Sequence, residues 1–441
     1  MSALLCSWLL LHPHLQPESL AFDQLVLTSG TTVEGLVLEE TPQQIRFQFM
    51  LRRPGVRTLV FETVYERGEV SKVIKAPQPG RDLARQWLSA LVSSKKLETD
   101  KLESLKLSSA PWITGEGNAH RYQGPYFELL SPAPLPLVRL VAVRLEAMFG
   151  GYIGTLGQRV QPVRPVTIFM FPSMVEYKKY LQLKGIPLLN PAIYDARGPH
   201  ILIGCELPAQ QEQYDQLRSK HAEQLKELLD QRKKIALHYG GRIPDLLRKQ
   251  MQQLQQQLLA TDADNESTLA RLQASFFALL YHESFHAYLD QRVFPSEQYQ
   301  VPRWLNEGLA QLFETALVEI GELRVGQIEE KRLSTVQDAV RKGRFMTIRE
   351  LLQSPAQQFL VRHTTDSFEA DRFYQASWAL AHFLTFELKV LSKPALASYV
   401  AAKPGGDPIK AFEQLTGLTL ADAEERYKQY LLRLRPDGTL R

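Results

Sequence analysis

Between Asp23 and about Lys75 apolar and polar positions alternate in short runs, "DQLVLTSGTTVEGLVLEE", "QQIRFQFML", "RTLVFETVY" and "EVSKVIK". The runs are rich in β-branched and aromatic residues and are broken by Ser-Gly, Thr-Pro and Pro-Gly. That pattern predicts a meander or small β-barrel-like module over 23–76. The "APQPGRD" stretch then reads as a linker, with a helix from Leu83 to Lys106, and 77–118 is expected to be helical connecting chain. From there the period changes repeatedly. "PYFELLS", "PVTIFMFPS" and "PHILIGCEL" read as strands, while "LPLVRLVAVRLEAMFGGYI" and "MVEYKKYLQLKG" carry apolar residues at helical spacing. Strands interleaved with helices predict one sheet with helices packed on it over 119–208.

From Gln210 to Ala260 the text is dominated by Gln, Lys, Glu and Leu. Leu217, His221, Leu225 and Leu228, then Leu247, Met251, Leu254 and Leu258, recur at spacings of three and four. This is the seam of an antiparallel helical hairpin, 209–262, turning at Gly240-Gly241 and projecting from its domain. His221 and His238 are expected as seam or solvated residues. "TDADNESTLARLQ" supplies Asp, Asn and Ser as helix-start signals, so a new helix is expected to run through "ASFFALLYHESFHAYLDQ". Another begins after Pro302 near "RWLNEGLAQLFETALVEIG", and 331–441 reads as a helical C-terminal subdomain.

Composition adds exclusions. With 441 residues, 44% hydrophobic and 23% charged, the chain is ordinary globular material, long enough for two or three domains. Its +4 charge is the difference of 52 basic and 48 acidic residues, so nothing calls for nucleic acid. Cys6 and Cys205 cannot make a disulfide framework or a Cys-x-x-Cys zinc site, so any metal must be held by His and carboxylate. The run Ala3–Leu11 followed by Ser19-Leu20-Ala21 reads as a leader over 1–22 that would direct export, although it lacks a positively charged start. No other segment is long and apolar enough to span a membrane.

One string carries chemistry. In "LLYHESFHAYLD" His282 and His286 lie at i and i+4, so a helix places both rings on one face, one turn apart. Glu283 sits beside the first, where its carboxylate can reach a water on the same ion without binding the ion itself. A catalytic zinc takes three protein ligands and leaves the fourth position for water. His-Glu-x-x-His alone is short enough to arise by chance, so it needs a third ligand. Glu307, in "WLNEGLAQLFE", follows His286 by twenty-one positions (307 minus 286), enough for one helix to end, a loop to return and a second helix to begin.

With both motifs in this order the sequence resembles the gluzincin metallopeptidases, the group of thermolysin and aminopeptidase N. Their third zinc ligand is the Glu of an Asn-Glu-x-x-Ala/Ser helix. Trp304-Leu305-Asn306-Glu307-Gly308-Leu309-Ala310 looks especially like the aminopeptidase N branch. The resemblance implies an α+β fold: a zincin-like domain with a mixed sheet packed on an active-site helix, zinc-site helices over 263–330, and the β module and hairpin as additions. It implies one Zn2+ per chain on His282, His286 and Glu307, with Glu283 as general base. Asn306 would orient a ligand imidazole. Gln311 stands where thermolysin-like members carry an acidic residue behind a ligand. Glu314 suits a structural ion pair better than a ligand role.

The aminopeptidase branch also places an oxyanion-binding Tyr at the start of a later helix, in a pattern like Tyr-x-x-Gly. Here Tyr374 opens "YQASWALAHFL", with Ser377 in place of Gly, and a packed core tyrosine is the alternative. His382 reads as a core histidine and His363 as a loop residue. "PHILIGCEL" is expected at the sheet edge that would hold an extended substrate, with "NPAIYD" near the cleft. The Gly-x-Met-x-Asn loop of the aminopeptidases is missing, so aminopeptidase activity does not follow. From Tyr126 to Leu391, apart from the hairpin, the chain also looks like a bacterial family of gluzincin-like proteins of unassigned function.

The activity so implied is hydrolysis of a peptide or protein substrate through a zinc-bound water activated by Glu283. The alternative is a non-catalytic scaffold or binding protein with a structural or vestigial metal, whose β module and hairpin engage partners that the sequence does not specify. The intact Glu283 argues against it, because a structural site needs no base. A buried helix without metal would seal His282, Glu283 and His286 among Phe, Leu and Tyr at high cost.

Overall fold

The computed structural model describes residues 21–51, 58–162, 164–186, 190–241, 243–319, 322–325, 328–355, 367–391, 394–401 and 406–441. The run Ala3–Leu11 with Cys6, most of the leader, and His363 lie outside them. The described residues of 1–105, 143–163 and 288–441 form one compact unit, and those of 106–142 and 164–287 form a second.

In the first unit the alternating N-terminal runs form strands β1 (Asp23–Leu27), β2 (Thr32–Glu40), β3 (Gln44–Leu51), β4 (Leu59–Glu66) and β5 (Val70–Ile74). They make an antiparallel sheet in the order β4-β3-β2-β1-β5, so the last strand returns beside the first. Because successive strand residues point to opposite faces, Val37 joins Leu25, Ile45, Phe47 and Val70 in one core. Leu36 and Met50 instead meet Ala84, Trp87 and Leu88. These last three lie at i, i+3 and i+4 on helix α1 (Gln78–Ser104), so the connecting helix covers one face of the sheet. Asp23 fastens the assembly. Its buried carboxylate accepts from the backbone N–H of Val37 and of Ala76, both at 2.9 Å, and pairs with Arg81 at 2.9 Å.

The second unit carries a mixed sheet. Its elements are β6 (Ser108–Pro111), β7 (Asn118–Gln123), β8 (Phe127–Ser131), α2 (Leu135–Leu156), which runs on into the first unit, β9 (Val166–Phe171), α3 (Met174–Leu183), β10 (Ala192–Asp195) and β11 (His200–Gly204). The order is β10-β11-β9-β8-β7-β6, with β8–β9 and β9–β11 parallel and the other pairs antiparallel. Two expectations need correction. The stretch 77–118 is not helical throughout, because β6 occupies Ser108–Pro111 and β7 opens at Asn118. The strand His200–Gly204 is not the edge either, since Ala192–Asp195, inside "NPAIYD", pairs on its outer side.

The hairpin consists of α4 (Leu207–His238) and α5 (Asp245–Tyr288), joined through Gly240 and Gly241, whose φ of 62° and 91° suits glycine. In its seam His221, Leu228 and Leu258 are buried, while Leu217, Leu225, Leu247 and Met251 are half-buried. Leu254, expected in the seam, is exposed. No new helix starts at "TDADNEST", as α5 runs unbroken through it. Asp262 there does not cap a helix. Its carboxylate meets His221 Nδ1 across the seam at 2.6 Å, which removes the local competition that makes Asp a helix-start residue.

The remaining α-helices among the described residues of the first unit are α6 (Arg303–Phe313), α7 (Glu330–Arg341), α8 (Ile348–Leu352), α9 (Ser367–His382), α10 (Pro394–Val400), α11 (Pro408–Thr416) and α12 (Leu420–Arg433). A short hairpin of β12 (Leu317–Glu319) and β13 (Glu322–Arg324) follows α6. The buried Gln337 amide ties α7 to the end of α12 by donating to the carbonyls of Leu431 and Leu434 at 2.9 and 2.8 Å. The fold is thus α+β, an antiparallel sheet and a mixed sheet followed by long helices and a helical C-terminal region. Among the described residues no helix is long and apolar enough to cross a membrane.

Candidate metal centre

The last turns of α5 change character. Phe276, Phe277, Leu280, Phe285 and Ala287 are buried, and within this apolar run His282 and His286 stand one turn apart. Their rings are 4.7 Å centre to centre and nearly perpendicular, at 85°. Each histidine is only 9% exposed, and Glu307, on α6, is 2% exposed. One donor atom from each of these three residues lies within 4.8 Å of the other two. Two imidazoles and a carboxylate are the nitrogen and oxygen donors that zinc accepts, and three such ligands leave a fourth position open. The residues present therefore fit the ion that the motif implies.

The surroundings explain how α6 is held. Tyr288, two residues after His286, donates its hydroxyl to the carbonyls of Tyr152 (3.1 Å) and Gly157. The Tyr152 ring packs against Tyr288 at 5.3 Å and, edge to face, against Phe313 at the end of α6 at 5.6 Å. These aromatic contacts are directional as well as apolar. Tyr152 therefore couples the end of one motif helix to the end of the other. Alongside, α6 lies against α9. Gly308 is needed for that approach, because a Cβ there would drive into the Ser377 carbonyl oxygen and come within 2.8 Å of the Ala381 methyl.

Beside the ligands, Arg303 sets a guanidinium nitrogen 2.8 Å from Glu307 Oε1, so a positive charge sits next to a buried carboxylate. Asn306 is half-buried. Gln311 is buried and donates its amide to the backbone carbonyls of Glu307 (3.2 Å) and Tyr374 (3.0 Å), which joins α6 to α9. Tyr374, expected to open its helix, does not: α9 begins at Ser367, which leaves Tyr374 in mid-helix and buried, with its carbonyl receiving that bond. Glu283 is half-buried, and its charge acts on the phenol of Tyr177, whose pKa is raised chiefly by burial and secondarily by this carboxylate. The Tyr177 hydroxyl donates to the Asn190 carbonyl at 2.8 Å. Glu314 pairs with Arg332 at 2.9 Å, apart from the ligand set. His382 is a core residue with Nδ1 against the Tyr430 hydroxyl at 2.7 Å.

Sequence reasoning missed Arg303, Tyr152, Tyr288 and Tyr177. Arg303 was within reach, since it precedes Glu307 by one helical turn. Tyr152 and Tyr177 lie more than a hundred positions before the motif, and nothing local marks them.

No curated protein matches the chain. Residues 277–399, which hold His282, Glu283, His286 and Glu307 and run through α9 to α10, match the family model described as Protein of unknown function (DUF1570).

Proposed function

We propose that this chain is a metal-dependent peptidase with a zincin-like domain of gluzincin type. The observation that carries the reading is the convergence of His282, His286 and Glu307 donor atoms within 4.8 Å, with Glu283 adjacent and outside that set. Zinc held by these three residues would supply Lewis acidity, polarising a substrate carbonyl and acidifying water.

The remaining steps belong to the chain's own groups. Glu283, half-buried and next to His282, takes a proton from the attacking water and returns it to the departing amine, as general base and then general acid. Arg303, with its guanidinium 2.8 Å from the buried Glu307 carboxylate, offsets a charge that would be costly to bury alone. Asn306 orients a ligand imidazole. Gln311, by binding the carbonyls of Glu307 and Tyr374, fixes the register of α6 against α9. Tyr374 donates to the oxyanion that forms as the carbonyl becomes tetrahedral.

The test is Glu283→Gln on protein purified without a histidine tag. Elemental mass spectrometry should find about one zinc per chain in both proteins, while hydrolysis of a quenched peptide library falls at least a hundredfold in the variant. Equal hydrolysis by the two proteins would overturn the mechanism. Zinc in both with hydrolysis in neither would favour a structural metal in a scaffold.

A further inference from the structure

We infer that the free end of the α4–α5 hairpin binds the surface of an anionic lipid bilayer. Three large apolar residues at that end face solvent: Leu237 is 81% exposed, Tyr239 52% and Leu246 69%. They flank the Gly240-Gly241 turn, whose geometry is fixed by bonds from the Gly240 and Gly241 N–H groups to the carbonyls of Leu237 and Ala236. A turn that holds leucines and a tyrosine out in water gains nothing for the fold. It suits insertion into the headgroup region, where such side chains leave water and a tyrosine ring is at home.

Charge selects the kind of bilayer. Over 230–249 the sequence carries six Lys and Arg against two Asp, a net of +4 that equals the formal charge of the whole chain. Lys233 and Arg248 engage Asp230 and Asp245 only through exposed pairs at the surface, which neutralise little. Below the turn an open recess of about 150 Å³ lies between the two helices, lined by leucines, Ile243 and Met251 together with Arg232, Arg248, Gln252 and Gln255. Its leucine, isoleucine and methionine walls offer apolar surface to part of an amphiphile. Here it comes with two guanidinium groups suited to a phosphate. Apolar insertion and phosphate-binding charge at one place match an anionic amphiphile. A nucleic acid would use the charge and leave the leucines unexplained.

Leu246 and His282 lie on the same helix, about 54 Å apart along its axis at 1.5 Å per residue. The inference is independent of the proposed peptidase activity, and zinc-stripped protein should bind as the zinc-loaded protein does.

The experiment is co-sedimentation of the full chain with vesicles of phosphatidylcholine alone or with about 30% phosphatidylglycerol. We expect binding to the anionic vesicles, little to the neutral ones, and a fall of at least tenfold in 0.5 M NaCl as charges are screened. Lys233→Glu with Lys234→Glu should weaken partitioning at least a hundredfold, taking roughly fivefold per unit of charge. Leu237→Ser with Leu246→Ser, which leaves the charge unchanged, should weaken it about tenfold or more. Both variants alter exposed side chains, and unchanged circular dichroism and zinc content will confirm that they fold. Equal binding to neutral and anionic vesicles, vesicle binding by the variants at the wild-type level, or capture of an oligonucleotide in preference to anionic vesicles would each overturn the inference.

Discussion

Asp23 and Glu307 are both carboxylates sealed from water, and the company each keeps is different. Around Asp23 the chain supplies two backbone N–H groups and the Arg81 guanidinium, all from the N-terminal sheet, its connection and α1. Its charge is neutralised within the module, and its work is to lock β1, β2 and α1 together. Glu307 meets Arg303 on one side, while two imidazole nitrogens come within 4.8 Å of its carboxylate. Burial of a charged group is therefore not the mark of a site. The mark is which atoms converge on it, since backbone N–H groups can only hold an anion whereas imidazole lone pairs can share a cation with it.

The largest expected effect separates these two roles. Replacing His286 or Glu307 by Ala should reduce zinc from about one per chain to under about a tenth, because two remaining ligands do not make a site. Asp23→Ala should leave the zinc content unchanged. Elemental analysis of the three variants side by side checks both halves. Zinc retained by the His286 and Glu307 variants would break the comparison at its root.

Asp23→Ala should act on stability instead. It leaves Arg81 and two backbone N–H groups facing a buried void, and removing one partner of a buried pair typically costs about 3–5 kcal/mol. Denaturant unfolding should register that loss, together with release of Trp87, which packs where α1 meets the sheet. A change below about 1 kcal/mol would mean that the cluster is dispensable.

Gly308→Ala tests the packing that supports Glu307. The added methyl would strike the Ser377 carbonyl oxygen and crowd Ala381, and overpacking of this kind costs about 1–3 kcal/mol. Because the strain falls one residue from Glu307, we expect zinc affinity to drop along with stability. Loss of stability at unchanged zinc affinity would assign Gly308 to packing alone.

These contrasts also show what was legible in the sequence. His282 and His286 could be read because a helix fixes i and i+4, whereas Glu307 was reached through its spacing from His286 and the resemblance of its Asn-Glu string to gluzincins. The N-terminal strands were legible from alternation, and the hairpin from its seam and its two glycines. The unbroken course of α5 was hidden, because Asp262 is released from capping only by His221, forty-one positions earlier and on another helix. The edge strand Ala192–Asp195 was hidden for a similar reason, as pairing order in a mixed sheet depends on crossovers and leaves little trace in four residues. Tyr152, which couples the two motif helices, reads as one more apolar position of α2 until Tyr288 and Phe313 are seen beside it.

Among the buried histidines, too, the neighbouring atoms decide the role. His382 is buried even more deeply than His282 and His286, but among the described residues no other ligand converges on it. Its Nδ1 meets the Tyr430 hydroxyl, and Nε2 has no hydrogen-bond partner among the described residues. Rings of Trp378 and Phe386 lie against it. Burial therefore pushes its pKa down from 6.5 to about 3. Above pH 6.5 the imidazole is neutral whether the chain is folded or not, and it contributes no pH dependence. Between pH 6.5 and 3 the unfolded chain binds a proton that the folded chain refuses, so stability falls with pH at up to about 1.4 kcal/mol per unit. From pH 7 to pH 5 the loss from this residue should be about 2 kcal/mol. His382→Phe, which cannot be protonated, should lack that part of the loss. The two proteins are to be unfolded in urea at both pH values, and the difference between their losses cancels the titration of the carboxylates they share. Identical losses would mean that His382 takes up a proton in the folded protein, and that a buried histidine without converging ligands can still carry charge.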